Sequence, residues 1–235
     1  QAIGGLSGGG ASGGNISLGN ANLTVNQSSN DTYAGIISDF GSGSVTLNGS
    51  ATLTLTGANT YFGATVIDAG TLQAGATDVI ANSELLLLSN VAGAAFDLNN
   101  FDQKVGTLSG GGGAGGNITL GTANLTVDQN FDSDFAGSIS GTGNIVKNGL
   151  QMLTLDGVNA YTGSTTIGMG TLQAGAVNTI STSSPINISA GSLFDLNSYN
   201  QDVNVLSGVP GTGTNVKLGS AILTMVEGYG LSIEP

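Results

Sequence analysis

Apolar and polar positions alternate along this chain in short phrases, and glycine or asparagine interrupts each phrase before a helical period can build. β-Branched residues are frequent at the apolar positions, so the pattern predicts strands throughout and no helix. The clearest strands fall at 44–47, 51–56, 64–67, 84–88 and 94–98, with counterparts at 144–147, 152–155, 165–167, 186–189 and 192–196. Asn-Gly pairs, the usual signal of a two-residue hairpin, occur only at Asn48-Gly49 and Asn148-Gly149. Short strands without hairpin turns suit parallel coils of roughly 20 residues, each stacked on the last.

The two sets of strands belong to one sequence written twice and begun a third time. The run Leu6-Ser7-Gly8-Gly9-Gly10 returns as Leu108-Ser109-Gly110-Gly111-Gly112 and, more worn, as Leu206-Ser207-Gly208, at offsets of 102 and 98 residues. Ala21-Asn22-Leu23-Thr24-Val25 returns at Ala123-Asn124-Leu125-Thr126-Val127, and Gly70-Thr71-Leu72-Gln73-Ala74 at Gly170-Thr171-Leu172-Gln173-Ala174. The expected organisation is a single all-β solenoid over 1–235, a parallel β-helix with glycine-rich turns, carrying long repeats at 1–102 and 103–200 and a partial one at 201–235. About 11 coils rising by about 4.8 Å each would make a rod roughly 50 Å long. The stretch from Ile222 to Leu231, with Glu227, Glu234 and Pro235 around it, is a candidate last turn that discourages further stacking.

Composition narrows the chemistry. The chain has 41 glycines, no histidine, cysteine or tryptophan, and only Lys104, Lys147 and Lys217 against 15 acidic residues, for a formal charge of -12. Three scattered lysines cannot supply the basic surface that phosphate recognition needs, so nucleic acid is excluded as an expected partner. Without histidine or cysteine the usual nucleophilic triads and zinc sites cannot be assembled, and no enzyme activity, cofactor or metal is expected. Asp97 and Asp195 sit at matching places in Phe-Asp-Leu-Asn phrases, and Asp128, Asp132 and Asp134 crowd one loop. Carboxylate chemistry on a glycan would need two of them across one groove, and calcium would need several oxygens converging. A hydrated acidic loop is the expected reading of the crowded segment. The apolar run 85–88 is far too short to span a bilayer, and no basic, apolar leader opens the chain.

Other motifs point back to architecture. The runs Gly8 to Gly14 and Gly110 to Gly116 lack a following Walker lysine and read as tight corners. Eight Asn-x-Ser/Thr sequences, at Asn15, Asn22, Asn26, Asn30, Asn48, Asn117, Asn124 and Asn187, are expected by chance in so polar a chain. Asparagines at matched turns, such as Asn15, Asn117 and Asn215, are expected to satisfy backbone groups between coils. Aromatic positions also match between copies: Tyr33 with Phe135, Tyr61 with Tyr161, Phe96 with Phe194 and Phe101 with Tyr199. Interchange of phenyl and phenol favours packing. Tyr61 and Tyr161, on matching loops, are the candidate ligand-contact residues if both are exposed.

The segments 53–73 and 153–173, from Leu53-Thr54-Leu55-Thr56-Gly57 to Gly70-Thr71-Leu72-Gln73 and from Leu153-Thr154-Leu155-Asp156-Gly157 to Gly170-Thr171-Leu172-Gln173, resemble the passenger-associated repeat of bacterial autotransporters. Gly141 to Gly149 looks like the usual entry to that motif, and in the first copy Leu47 stands where the family tends to place lysine, as Lys147 does in the second. The resemblance implies a right-handed parallel β-helix, exported and displayed on the cell surface or released. It carries an expectation of a structural rod that contributes to adhesion or aggregation, with a host surface, matrix, glycan or sister cells as partners. A self-assembling fibre subunit, extended by end-to-end self-association, and a passive spacer are the alternatives.

Overall fold

The computed structural model describes residues 1–10, 12–209 and 215–226. Among them every pairing between strands is parallel, and the chain winds as a three-faced β-solenoid. The first face is an unbroken sheet of eleven strands that runs from Ala2–Ile3 through Leu23–Gln27, Val45–Gly49, Thr65–Ile67, Leu85–Leu88, Thr107–Gly110, Ser133–Phe135, Met152–Leu155, Thr171–Ala174 and Leu193–Asp195 to Asn215–Lys217. Ten intervals at about 4.8 Å give it a length of roughly 48 Å. Successive coils differ in length, from 19 residues between Leu155 and Ala174 to 25 between Gly110 and Phe135. The expected strands lie within a residue or two of their observed bounds, and Met152–Leu155 and Thr165–Ile167 coincide with them.

The second face begins with the six strands Asp31–Tyr33, Thr52–Leu55, Thr71–Ala74, Ala95–Asp97, Asn117–Thr119 and Ile139–Ser140, and ends with the pair Gln201–Val203 and Leu223–Met225. The third begins with the pair Ile16–Ser17 and Ile37–Ser38 and ends with six strands, Gln103–Val105, Leu125–Asp128, Ile145–Asn148, Thr165–Ile167, Ile186–Ile188 and Leu206–Gly208. Each of these faces has a gap of two coils where side chains replace the backbone ladder. On the third face the Asn59 amide accepts from Ile37 N–H and donates to Val79 C=O, and the Gln103 amide oxygen accepts from Val79 N–H. On the second, Asn159 bridges Ile139 and Thr179 in the same way, and Gln201 accepts from Ile180 N–H. A buried backbone group left unpaired is costly, so the amides keep each face continuous where strand geometry lapses.

The core is a set of inward rows. One reads Ile3, Val25, Leu47, Ile67, Leu88 on the first face, and its counterpart on the third reads Val105, Val127, Lys147, Ile167, Ile188. Period-2 alternation along each strand puts these side chains inside and leaves threonine, asparagine and serine outside. At the corners, asparagine and aspartate oxygens accept N–H groups from the next coil, as Asn15 does from Ile36 and Asn117 from Ser138. The glycine runs make matched excursions in which Gly10 pairs with Gly13 and Gly112 with Gly115. The expectation about a protective last turn falls largely on 227–235, outside the described residues.

The long sequence repeat is out of phase with the coil. Leu23–Gln27 lies on the first face of the second coil, whereas its counterpart Leu125–Asp128 lies on the third face of the sixth. One repeat therefore advances four coils and two faces, and every matched segment is turned by one face relative to its partner. The same apolar and polar pattern can serve on different faces because each needs only inward aliphatics, outward polars and a corner.

Candidate contact surface

Tyr61 and Tyr161 do not form a repeated surface contact. Their side chains are 1% and 0% exposed, and each phenol meets the threonine four residues on, Thr65 or Thr165, at 2.6 Å. Those threonines in turn reach Ser83 and Ser184 at 2.9 Å, so each ring lies in the core with its hydroxyl satisfied. Burial pushes both phenols up, with the hydroxyl contacts acting in the opposite sense, and Tyr161 stands at about 12. The phase of the repeat separates them further, since 59–61 belongs to the third face and 159–161 to the second. Tyr33, Phe96, Phe135 and Phe194 are likewise buried, while Phe101 and Tyr199 are exposed.

The carboxylates are dispersed. Asp128 pairs with Lys104 at 2.6 Å, and Asp132 accepts from Met152 N–H at 2.7 Å. Asp97 accepts from the Gln73 amide, and Asp195 from Gln173 and Lys217. Burial alone would raise the Asp195 carboxyl, but the hydrogen bonds from Lys217, Asn197 N–H and Gln173 hold it below its ordinary value. Asp156 is raised by burial and by Asp134 beside it. Among the described residues no group of three or more acidic side chains is arranged to hold a metal.

Lys147 is the one lysine in the core, at 0% exposure in a row of aliphatics. Its ammonium donates to three backbone carbonyls, Gly149, Gln151 and Met169, the last on the following coil. Burial lowers it to about 8, against a weaker opposing pull from Asp132. Sequence reading marked Lys147 only as a motif position. Its burial was legible in one signal, the alignment of Lys147 with the apolar Leu47.

The outer surface is polar, with a shallow groove of about 350 Å³ on the second face lined by Asn30, Asp31, Thr32, Thr52, Thr54 and Gln73. Large apolar side chains stand out from it at the edges. Phe40 is 91% exposed, and Phe62, Phe131, Leu150 and Met169 share its edge between the third and first faces. Isolated exposed apolar residues are ordinary, but aligned ones mark contact surfaces. No helix is long and apolar enough to cross a membrane among the described residues.

Comparison with known proteins agrees with this architecture. The passenger-associated-transport-repeat model matches residues 45–74 and 145–174, the two segments that carry Asn59 with Tyr61 and Asn159 with Tyr161. Over 153 residues, 61% of this chain, the sequence is 40% identical to the adhesin BmaC autotransporter of Brucella suis biovar 1 (strain 1330). The chain spans 4% of that protein's length. No solved structure matches significantly. The chain is a parallel β-solenoid that carries two passenger-associated transport repeats and is similar over 61% of its length to part of an autotransporter adhesin.

Proposed function

We propose that this solenoid is a stretch of secreted or surface-displayed shaft whose sides make adhesive contacts with a host surface, matrix, glycan or sister cells. The observation that carries the reading is the 40% identity to an adhesin over a segment that lies within one continuous solenoid. A structural rather than catalytic role is supported by a chain without histidine or cysteine, whose carboxylates are spread over several edges and coils. Lateral attachment through many shallow contacts suits a rod with repeated edges.

The test is display of the chain on an otherwise non-adherent bacterial cell, with counts of cells retained on cultured epithelial monolayers and of cell clumps in suspension. Retention or clumping above the undisplayed parent is expected. Equality with the parent in both assays would refute the reading.

A further inference from the structure

Successive copies of the long repeat have diverged at one set of corners. Val158, Val177, Tyr199 and Ile222 lie on four successive coils, each between a first-face strand and the second-face segment that follows it. The stacking is explicit: Asn159 donates to Thr179 C=O, Asn178 N–H to Asn200 C=O, and Ile222 N–H to the Asn200 side chain. All four side chains are exposed, Val158 by 73% and Ile222 by 64%. Their counterparts one repeat earlier, Ala58, Thr77, Phe101 and Asn124, occupy the edge between the second and third faces. Three of the four positions thus hold a larger or more apolar side chain one repeat later, with no fold requirement to explain it, since the earlier repeat makes the same corners without them.

The charges around this ridge have one sign to spare. Asp156 precedes Val158 by two residues and Asp202 follows Tyr199 by three. The chain's three lysines already have partners: Lys104 has Asp128, Lys217 has Asp195 on the first-face strands next to the ridge, and Lys147 has backbone carbonyls in the core. An apolar strip bordered by unneutralised carboxylates complements an apolar surface bordered by lysine or arginine.

We infer that the Val158, Val177, Tyr199 and Ile222 ridge is a docking edge for a protein element with an apolar face flanked by basic residues, such as a basic amphipathic helix. This is separate from the adhesive reading, because it specifies an edge and a partner chemistry that hold whether or not the rod attaches to cells. The contact is made by this stretch only, since the phase of the repeat turns the more polar corners one repeat earlier to another side of the rod.

The test uses the purified chain and an immobilised 18-residue leucine-lysine amphipathic peptide as the probe, read by surface plasmon resonance at two salt concentrations. A variant carrying Val158→Ala, Val177→Thr and Ile222→Asn restores at these exposed positions the residues found one repeat earlier, and circular dichroism checks that it folds. Binding by the parent chain, weakening with salt, and a loss of about tenfold or more in the variant are expected. Phe40→Ser, on another edge, should bind as the parent does. Absence of binding by the parent, equal binding by the triple variant, or an equal loss from Phe40→Ser would overturn the inference.

Discussion

Lys147→Met replaces a buried ammonium by an unbranched apolar side chain of similar length, at a position where the first copy already accommodates Leu47. The folded lysine ionises at about 8 against an ordinary 10.5. Below pH 8 both folded and unfolded chains carry the charge, and the folded one bears its full desolvation. Between about 8 and 10.5 the folded amine has lost its proton while the unfolded amine keeps it, so the unfolded state binds more protons and stability rises with pH. A difference of this size corresponds to about 3 kcal/mol. The parent chain should therefore gain about 3 kcal/mol relative to Lys147→Met between pH 7 and pH 10.5. Urea unfolding followed by far-ultraviolet circular dichroism, with both proteins at both pH values, measures it. The tyrosines titrate alike in the two proteins and cancel in the difference. Parallel pH profiles for parent and variant would refute the reasoning, because they would mean that the three carbonyls replace the ammonium's hydration fully.

Other outcomes follow from the same contacts. Tyr161→Phe should cost about 1 kcal/mol at pH 7 through the lost hydroxyl contact with Thr165. It should also lessen the alkaline loss of stability: the folded phenol keeps its proton to about 12 while the unfolded one releases it near 10, so its contribution fades as pH rises through that window; thermal melts from pH 9 to 11.5 would show the two curves converging. Asn159→Leu leaves Ile139 N–H and Thr179 C=O without their bridge and should destabilise by about 3 kcal/mol in urea titrations, more than Asn200→Leu on the exposed edge. Gly149→Ala should cost more than about 1 kcal/mol, because φ there is +79° and the new Cβ would lie 2.2 Å from Gln129 O. Calcium at millimolar concentration should leave the melting temperature unchanged, since Asp128 is paired with Lys104, Asp132 accepts from Met152 N–H, and among the described residues no three acidic side chains converge.

The candidate contact residues were legible as repeat positions but not as buried ones. A tyrosine between two glycine-rich turns can face either way, and the choice depends on which parity of the coil reaches the core. Tyr61 and Tyr161 turn inward because Thr65 with Ser83, and Thr165 with Ser184, provide a buried partner for each hydroxyl. The exposed edges were harder still to read. Val158, Val177, Tyr199 and Ile222 follow one another at 19, 22 and 23 residues, and coil length varies with the corners, so no fixed spacing announces that they align.

The amino-acid sequence by itself determined the strands, their parallel stacking and the turns. Alternation with period 2 decides which side chains bury, and glycine and asparagine decide where the chain bends, and both signals are local. Only the tertiary structure decided the phase between repeat and coil, which turns each matched segment by one face, and the surroundings of Lys147 and the two buried tyrosines. These depend on corner lengths accumulated over several coils of 19 to 25 residues, where a difference of a few residues moves a segment to another face. A local pattern cannot carry such a running total; the stacked hydrogen-bond ladder fixes it one coil at a time.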